Sequence, residues 1–201
     1  MTRVSVEYLV EKYGKHQEAS TDPILQDLDH FDWSAAGHAY GDASDVPALL
    51  RAALSQVQED REMATVALFG ELCHQGSVYE ASALAVPFLF RMLEYPNTPD
   101  RATIACLLAS LAYGSPGTYE EPRYKWVDAT RQAVGKRLEL PYPFLEHDEP
   151  EVRLFMVEAL TQFPHRRKEY SSLLRTILET EPDESVRKGI YDALAVQGPK
   201  E

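Results

Sequence analysis

A 34-residue repeat near the C-terminus is the feature that most constrains how this chain can fold. Val152-Arg153 and Ala159-Leu160 return 34 residues later as Val186-Arg187 and Ala193-Leu194, and each copy follows an acidic turn. At these spacings the Val, Ala and Leu side chains lie on one face of an α-helix. A helical unit that recurs with a period of about 20 to 50 residues is typical of stacked helix pairs, because one unit alone cannot bury its apolar face. The repeat therefore predicts an array of helix pairs.

The composition predicts an ordinary soluble protein. Of 201 residues, 44% are hydrophobic and 26% are charged, which suffices for one cohesive core without disulfides. No run approaches the roughly 20 apolar residues of a membrane span, and the first residues become charged before a signal peptide can form, so we expect a cytoplasmic protein. The two cysteines, Cys73 and Cys106, are too few for a disulfide framework or a cysteine-based zinc site.

The net charge of −12 is distributed unevenly along the chain. Residues 1–100 contain 16 Asp and Glu but 6 Lys and Arg, whereas residues 101–201 contain 16 and 14. Long-range fields steer encounter by the sign of the charge, so an acidic N-terminal half disfavours nucleic-acid phosphates and favours a basic partner. The alternative is that the charge serves only solubility.

Apolar spacing and helix-start signals predict helices along most of the chain. Pro87 is expected to kink or split the helix over residues 78–94, because a proline inside a helix removes a hydrogen bond. Ser77 and Glu80 have the spacing of a capping box at its start. No segment shows the alternation of strands, so the predicted class is all-α. The predicted helices cover 3–13, most of 44–138, 149–163, 167–180 and 184–197.

Residues 29–44 form a long stretch that is aromatic and contains glycine but has no helical periodicity. Loops of this length inside compact domains are often functional. The same stretch can equally be a packed cap over the end of the helical array. Both interpretations remain open from the sequence.

The repeat resembles HEAT repeats in its Val-Arg and Ala-Leu pairs. In HEAT repeats an aspartate in the turn between helices and the arginine that follows it commonly form a ladder between neighbouring units. The resemblance therefore implies that Asp148 and Asp183 form a ladder with such arginines.

A second resemblance covers residues 32–94. The segments that carry it are Asp32-Trp33-Ser34, residues 38–47 with Leu49-Leu50-Arg51, and residues 74–81 with residues 85–89. They are similar to a family of bacterial HEAT-repeat proteins, although Cys73 stands where relatives tend to have a tryptophan. The resemblance implies a helical repeat fold and no particular reaction.

Four residues of this region form a possible acid-base set: His38, His74, Tyr79 and Glu80. Histidine can titrate near neutral pH. The capping box already accounts for Glu80, however, packing accounts for Tyr79, and a place in the last turn of a helix accounts for His74. His38 and His74 lie 36 residues apart, without the spacing of a metal motif. We therefore expect no catalytic residue, no metal and no cofactor.

One basic cluster, residues 165–168, stands at a turn between helices. It can contact phosphates or an acidic protein, or it can be a solvated turn. Some HEAT-repeat proteins are DNA glycosylases with a basic concave surface, and the net charge of this chain argues against that role.

The sequence predicts one domain over residues 1–201, an α-solenoid of HEAT-like antiparallel helix pairs with residues 1–43 as an N-terminal cap and loop. Its predicted role is non-catalytic protein binding, specifically as an immunity or inhibitor protein that neutralises a basic bacterial toxin. The alternatives are an enzyme or lyase-like chaperone at the His/Tyr/Glu set, a DNA-binding protein, and a homo-oligomeric scaffold. The residues expected to contact the partner are Asp29, Asp32, Trp33, His38, Tyr40, Asp42, His74, Tyr79 and Glu80.

Overall fold

Nine α-helices make up most of the described structure. The computed structural model describes residues 3–14, 23–115, 124–139 and 142–195, so parts of the predicted N-terminal cap lie outside it. The helices are α1 (Arg3–Tyr13), α2 (Val46–Ala52), α3 (Gln58–Leu72), α4 (Glu80–Glu94), α5 (Arg101–Tyr113), α6 (Tyr124–Arg137), α7 (Pro150–Thr161), α8 (Arg167–Leu178) and α9 (Glu184–Ala195). Among them, none has the length and apolarity needed to cross a membrane. The predicted all-α class is confirmed.

Two short antiparallel hairpins interrupt the helices, which the sequence did not indicate. They are β1 (Gly37–His38) with β2 (Gly41–Asp42), and β3 (Cys73–His74) with β4 (Ser77–Val78). Gln75 and Gly76, between β3 and β4, have φ of 50° and 81°, a backbone that matches the twist of a two-residue hairpin. The helix therefore ends at Leu72. The prediction that His74 lies in a last helical turn is wrong.

Of the two outcomes predicted for Pro87, a kink or a split, the split does not occur. α4 runs without a break from Glu80 to Glu94 with Pro87 near its middle. Pro87 is exposed, whereas its neighbours Val86 and Phe88 are buried. A proline on the exposed face costs one helical hydrogen bond near solvent, and packing of the buried neighbours keeps the helix continuous.

Successive odd-numbered helices pack side by side. α3 contacts α5, α5 contacts α7 and α7 contacts α9, while α4 packs on α6. One cluster of buried side chains runs from Leu9 in α1 to Ala193 in α9. Residues 29–44 join this core through Trp33, whose indole donates to the Leu28 carbonyl oxygen at 2.8 Å. Much of that segment is thus packed on the helices, with the tip of the β1–β2 hairpin exposed.

Arginine–glutamate pairs connect helices of this row. Arg153 of α7 donates from Nε and Nη2 to the two carboxylate oxygens of Glu181, at 2.8 and 2.6 Å, and both side chains are almost fully buried. Arg101 of α5 pairs with Glu149 at 2.7 Å in a more exposed position. Glu149 and Glu181 precede α7 and α9. Each pair therefore ties one helix to the turn before the next helix in the row.

The acids of this ladder differ from those that the HEAT resemblance implies. Asp183 instead caps α9, because its Oδ1 accepts two N–H groups of the first turn. Asp148 is exposed and contacts Arg153 through its backbone carbonyl. The prediction for the two aspartates is therefore wrong. The 34-residue equivalence persists in the arginines, since Arg153 and Arg187 each donate to the carbonyl oxygens five and six residues before them.

Asp60 ties α1 to the start of α3. The residue is 2% exposed, and its carboxylate accepts hydrogen bonds from Lys12 at 2.6 Å, Tyr13 at 2.5 Å and Tyr8 at 3.2 Å. Burial raises the pKa of Asp60, but the hydrogen bonds from Lys12 and Tyr13 outweigh burial and hold the pKa below its usual value. The folded protein therefore favours the ionised carboxylate.

The substitution Asp60→Ala is expected to cost about 2 to 3 kcal/mol of unfolding free energy, because it leaves three donors without their acceptor. Since the folded pKa is lowered, the stability that Asp60 supplies is present above its unfolded pKa of 3.8 and is lost as the pH falls further. Urea unfolding at pH 7 and pH 3 measures both effects. Glu59→Ala removes an exposed neighbour and should change stability by under about 0.5 kcal/mol. Equal losses in the two variants would contradict this role of Asp60.

Candidate functional site

The β1–β2 hairpin lies against the C-terminal end of α3, beside the β3–β4 hairpin. The Ala39 N–H donates to the carbonyl oxygen of Glu71 at 3.1 Å. The Tyr40 hydroxyl forms a 3.0 Å hydrogen bond with Nδ1 of His74. We call this contact between residues 38–40 and residues 70–74 the hairpin junction. It brings together three of the residues expected to bind a partner: His38, Tyr40 and His74.

His38 is the buried histidine of the junction, with a side chain 3% exposed. Its Nδ1 accepts the N–H of Tyr40 at 3.0 Å, and its Nε2 lies 3.0 Å from Oδ1 of Asp45. Because Nδ1 accepts a backbone N–H, the ring proton must be on Nε2, which donates it to Asp45. An imidazolium would place two N–H groups face to face. The hydrogen bonds therefore favour a neutral ring that donates from Nε2 and fixes the hairpin to the start of α2. Burial lowers the pKa of His38, but the hydrogen bond and charge of Asp45 outweigh burial and raise it.

Glu71 is the unusual group of the junction. It is 4% exposed, and its Oε2 is buried without a hydrogen-bond partner among the described residues. A carboxylate oxygen of Glu71 lies within 4.8 Å of ligand atoms of both His38 and Asp45. Burial, with a further contribution from the charge of Asp45, raises the pKa of Glu71 to about 7. Near neutral pH, a substantial fraction of Glu71 is thus protonated.

The set His38, Asp45 and Glu71 has donor atoms that suit a divalent cation. A histidine that binds a metal must present a lone pair, and it usually donates its other ring N–H to an acceptor. His38 shows the opposite arrangement, since Nδ1 accepts a hydrogen bond and Nε2 carries the proton that faces Asp45. The hydrogen bonds of His38 therefore disfavour a metal ion in this cluster.

The other residues expected to bind a partner have separate contacts. Asp29 forms an ion pair with Arg51 of α2, and Asp32 accepts a hydrogen bond from Ser34. Trp33 lies in the core, 4% exposed. Asp42 is exposed at the hairpin and accepts from the hydroxyl of Ser44.

Tyr79 and Glu80 stand where α4 begins, although not in the predicted capping box. The Tyr79 N–H donates to Oγ of Ser82 at 2.8 Å, and this Oγ donates to the carbonyl oxygen of Leu72. Ser82 therefore joins the start of α4 to the end of α3. Ser77, the residue expected to cap the helix, lies in β4.

Asp45 and Glu71 were missed by sequence reasoning as site residues. The sequence does contain a pattern that indicates burial of Glu71. This residue follows Ala64, Ala67 and Leu68 at spacings of seven, four and three residues, so it falls on the apolar stripe of α3. A charged residue on such a stripe is buried and needs an explanation. Asp45 carried no comparable signal, because an aspartate before a helix normally indicates only a cap.

Two residues of the basic cluster at 165–168 are engaged within the chain. Arg166 pairs with Glu169 and donates to Gly135 and Tyr142, and Arg167 donates to the carbonyl oxygen of Leu194. These guanidinium groups hold α8 to its neighbours. They are therefore less available for phosphates than the sequence suggested.

A groove of about 510 Å³ runs between α3, α5 and α7. Cys73 and Cys106 are half-buried in its wall, and burial raises the pKa of both thiols. A thiol with a raised pKa is a weak nucleophile near neutral pH. The two cysteines therefore behave as packing residues, beside the exposed ring of Tyr113.

Comparison with known proteins gives no match: no family model, no curated protein and no solved structure is significantly similar to this chain. The HEAT resemblance therefore stays a prediction.

Proposed function

We propose that this chain is a HEAT-like array of helix pairs that binds another protein. The row of α3, α5, α7 and α9 supports an array, and so does the equivalence of Arg153 and Arg187 at 34 residues. Repeat arrays offer an extended surface and recognise partners without catalytic groups. The residues of the hairpin junction mainly hold the hairpin on the helices, which is consistent with a binding role that needs no catalytic group.

The main support for the proposal is the excess negative charge of the N-terminal half. Residues 1–100 contain 16 acids and 6 Lys and Arg. The structure describes four of these six cationic side chains, and each of the four is occupied within the chain. Lys12 binds Asp60 and Arg51 binds Asp29, while the other two donate to backbone carbonyl oxygens, namely Arg61 to Ser55 and Arg91 to Gln26. Even with all six cations counted, this half has ten more acids than Lys and Arg.

Several carboxylates of this half are exposed, including Glu11, Asp32, Asp42, Glu59 and Glu62. Their field attracts a basic protein, raises its association rate and repels nucleic-acid phosphates. An inhibitor that covers a basic protein needs these properties and no catalytic group. Neutralisation of a basic toxin, as an immunity protein, is the specific role that we propose.

The alternative of an enzyme or chaperone at the hairpin junction has weaker support. Tyr40 is 68% exposed, so the hydroxyl that bonds His74 stands near water. Acid-base chemistry gains from a site that excludes water. Tyr79 and Glu80, which belong to the same hypothetical set, stand instead at the start of α4.

Affinity capture from the host lysate with charge variants tests the proposal. The test variant is Glu11→Gln/Glu59→Gln/Glu62→Gln, and the control is Glu146→Gln/Glu151→Gln/Glu184→Gln, which neutralises three exposed acids of the other half. We expect one stoichiometric partner with net positive charge, held at least about tenfold more weakly by the test variant at low salt. The difference should shrink at about 0.5 M salt, where the screening length is only a few ångströms.

The two variants carry the same net charge, so a general loss of acidity cannot produce a difference between them. Equal retention by both variants would contradict steering by the N-terminal half. A stoichiometric partner that is itself acidic would contradict the proposed class of partner.

A further inference from the structure

We propose that Glu71 is a proton-controlled latch for the β1–β2 hairpin. Protonated Glu71 is neutral beside the carboxylate of Asp45 and keeps the hairpin on α3, whereas ionised Glu71 loosens it. The inference goes beyond partner binding, because it concerns a motion of the free protein, and it does not depend on the proposed function.

The hairpin is fastened on two sides of Glu71. On one side, His38 donates to Asp45 at the start of α2. On the other side, Ala39 donates to the Glu71 carbonyl oxygen, and the ring of Tyr40 lies beside Gly70 of α3. The carboxyl group of Glu71 lies within 4.8 Å of the His38–Asp45 pair. A change in its charge therefore acts where the hairpin joins both helices.

The two protonation states of Glu71 differ in their hydrogen bonds. A protonated Glu71 is neutral and carries a donor, and the carboxylate of Asp45 lies within 4.8 Å. An ionised Glu71 has no donor for its buried Oε2 among the described residues and stands beside a second carboxylate. A buried charge without a partner is costly, and hydration is the relief available to it. Hydration of Oε2 requires the hairpin to separate from the end of α3.

Among the described elements, His38 favours the ionised state of Glu71, but burial and the charge of Asp45 outweigh it and raise the pKa of Glu71. The charges that act on Glu71 come from Asp45 of α2 and His38 of the hairpin. His74 of β3 is bonded to Tyr40, and Asp42 of the hairpin adds a negative charge near His38.

The described lysine and arginine side chains of α1 and α2 bind carboxylates other than Glu71. Lys12 of α1 binds Asp60 at the other end of α3, and Arg51 of α2 binds Asp29. On the α5 side the titratable group near the junction is the thiol of Cys106, which stays neutral in its buried site. Ionisation of Glu71 is therefore relieved by movement rather than by pairing.

Amide hydrogen exchange of Ala39 measures the opening of the hairpin directly, because this N–H donates to the backbone carbonyl oxygen of Glu71 across the junction. After correction for the intrinsic dependence on pH, opening of the Ala39 amide should increase about tenfold between pH 6 and pH 8 in the wild-type protein. Glu71→Gln keeps the size of the side chain but cannot ionise, so its corrected opening should not change over this range. Glu62→Gln, on the exposed face of the same helix, should behave as the wild type does.

Asp45→Asn is the second variant, since it removes the neighbouring carboxylate and should reduce the dependence on pH. Equal dependence in the wild type and Glu71→Gln would overturn the proposal, whichever way Asp45→Asn behaves. Calorimetric titration with Zn²⁺ is a separate check. Binding of one Zn²⁺ per chain that is lost in Glu71→Gln would also overturn it, because the cluster would then be a metal site. Both measurements use the free protein, so failure to find a partner leaves them unaffected.

Discussion

The substitution Arg153→Ala is expected to lower the free energy of unfolding by about 3 to 5 kcal/mol, because it leaves the buried carboxylate of Glu181 without its partner. The guanidinium of Arg153 donates to both oxygens of Glu181 and to the carbonyl oxygen of His147. Burial raises the pKa of Glu181, but the hydrogen bonds from Arg153 outweigh burial and lower it. In the variant this carboxylate is either a buried charge or protonated. Urea unfolding at pH 7 measures the loss.

Arg187→Ala is the matched control, because Arg187 occupies the equivalent position 34 residues later and donates to carbonyl oxygens. It should cost only about 1 kcal/mol. The double variant Arg153→Met/Glu181→Leu should recover most of the loss, since apolar side chains of similar size fill the site without a charge. Two results would contradict the hypothesis that Arg153 stabilises the fold by neutralising the buried carboxylate of Glu181. One is a similar cost for the two arginine variants, and the other is no recovery of stability in the double variant.

The helices were predictable because their apolar stripes repeat over several turns. The helices predicted at 149–163, 167–180 and 184–197 are found at Pro150–Thr161, Arg167–Leu178 and Glu184–Ala195. The hairpins were not predictable, since strands of two residues are too short to show alternation. The predicted split at Pro87 was wrong for a different reason. The energetic cost of a proline inside a helix depends on whether the proline faces solvent, and the packing of the folded protein determines which way it faces.

The site was predictable in part. The sequence singled out His38, Tyr40 and His74, which the structure brings to one junction. Glu71 was missed although it breaks the apolar stripe of α3, because its neighbours Asp45 and His38 come from other elements. The sequence also did not show which acid pairs with Arg153. Glu181 and Asp183 stand two residues apart, and Asp183 caps α9 whereas Glu181 binds the arginine.

Glu71→Gln is expected to stabilise the protein by roughly 3 kcal/mol at pH 8 and by under about 1 kcal/mol at pH 5. The pKa of Glu71 is raised from 4.5 to about 7 in the folded state. Between these values the folded state binds more protons than the unfolded state, so stability falls as the pH rises. A shift of this size corresponds to about 3 kcal/mol once Glu71 is ionised in both states. Glutamine avoids the penalty because it stays neutral.

Urea unfolding of the wild type and Glu71→Gln at pH 5, 6, 7 and 8 gives the difference at each pH. Glu62→Gln removes a charge from the exposed face of the same helix and should remain within about 0.5 kcal/mol of the wild type throughout. The increase from pH 5 to pH 8 is the informative quantity, because any effect of the amide group on packing is independent of pH. A constant difference between wild type and Glu71→Gln would show that Glu71 is ionised throughout and that a compensating charge reaches it.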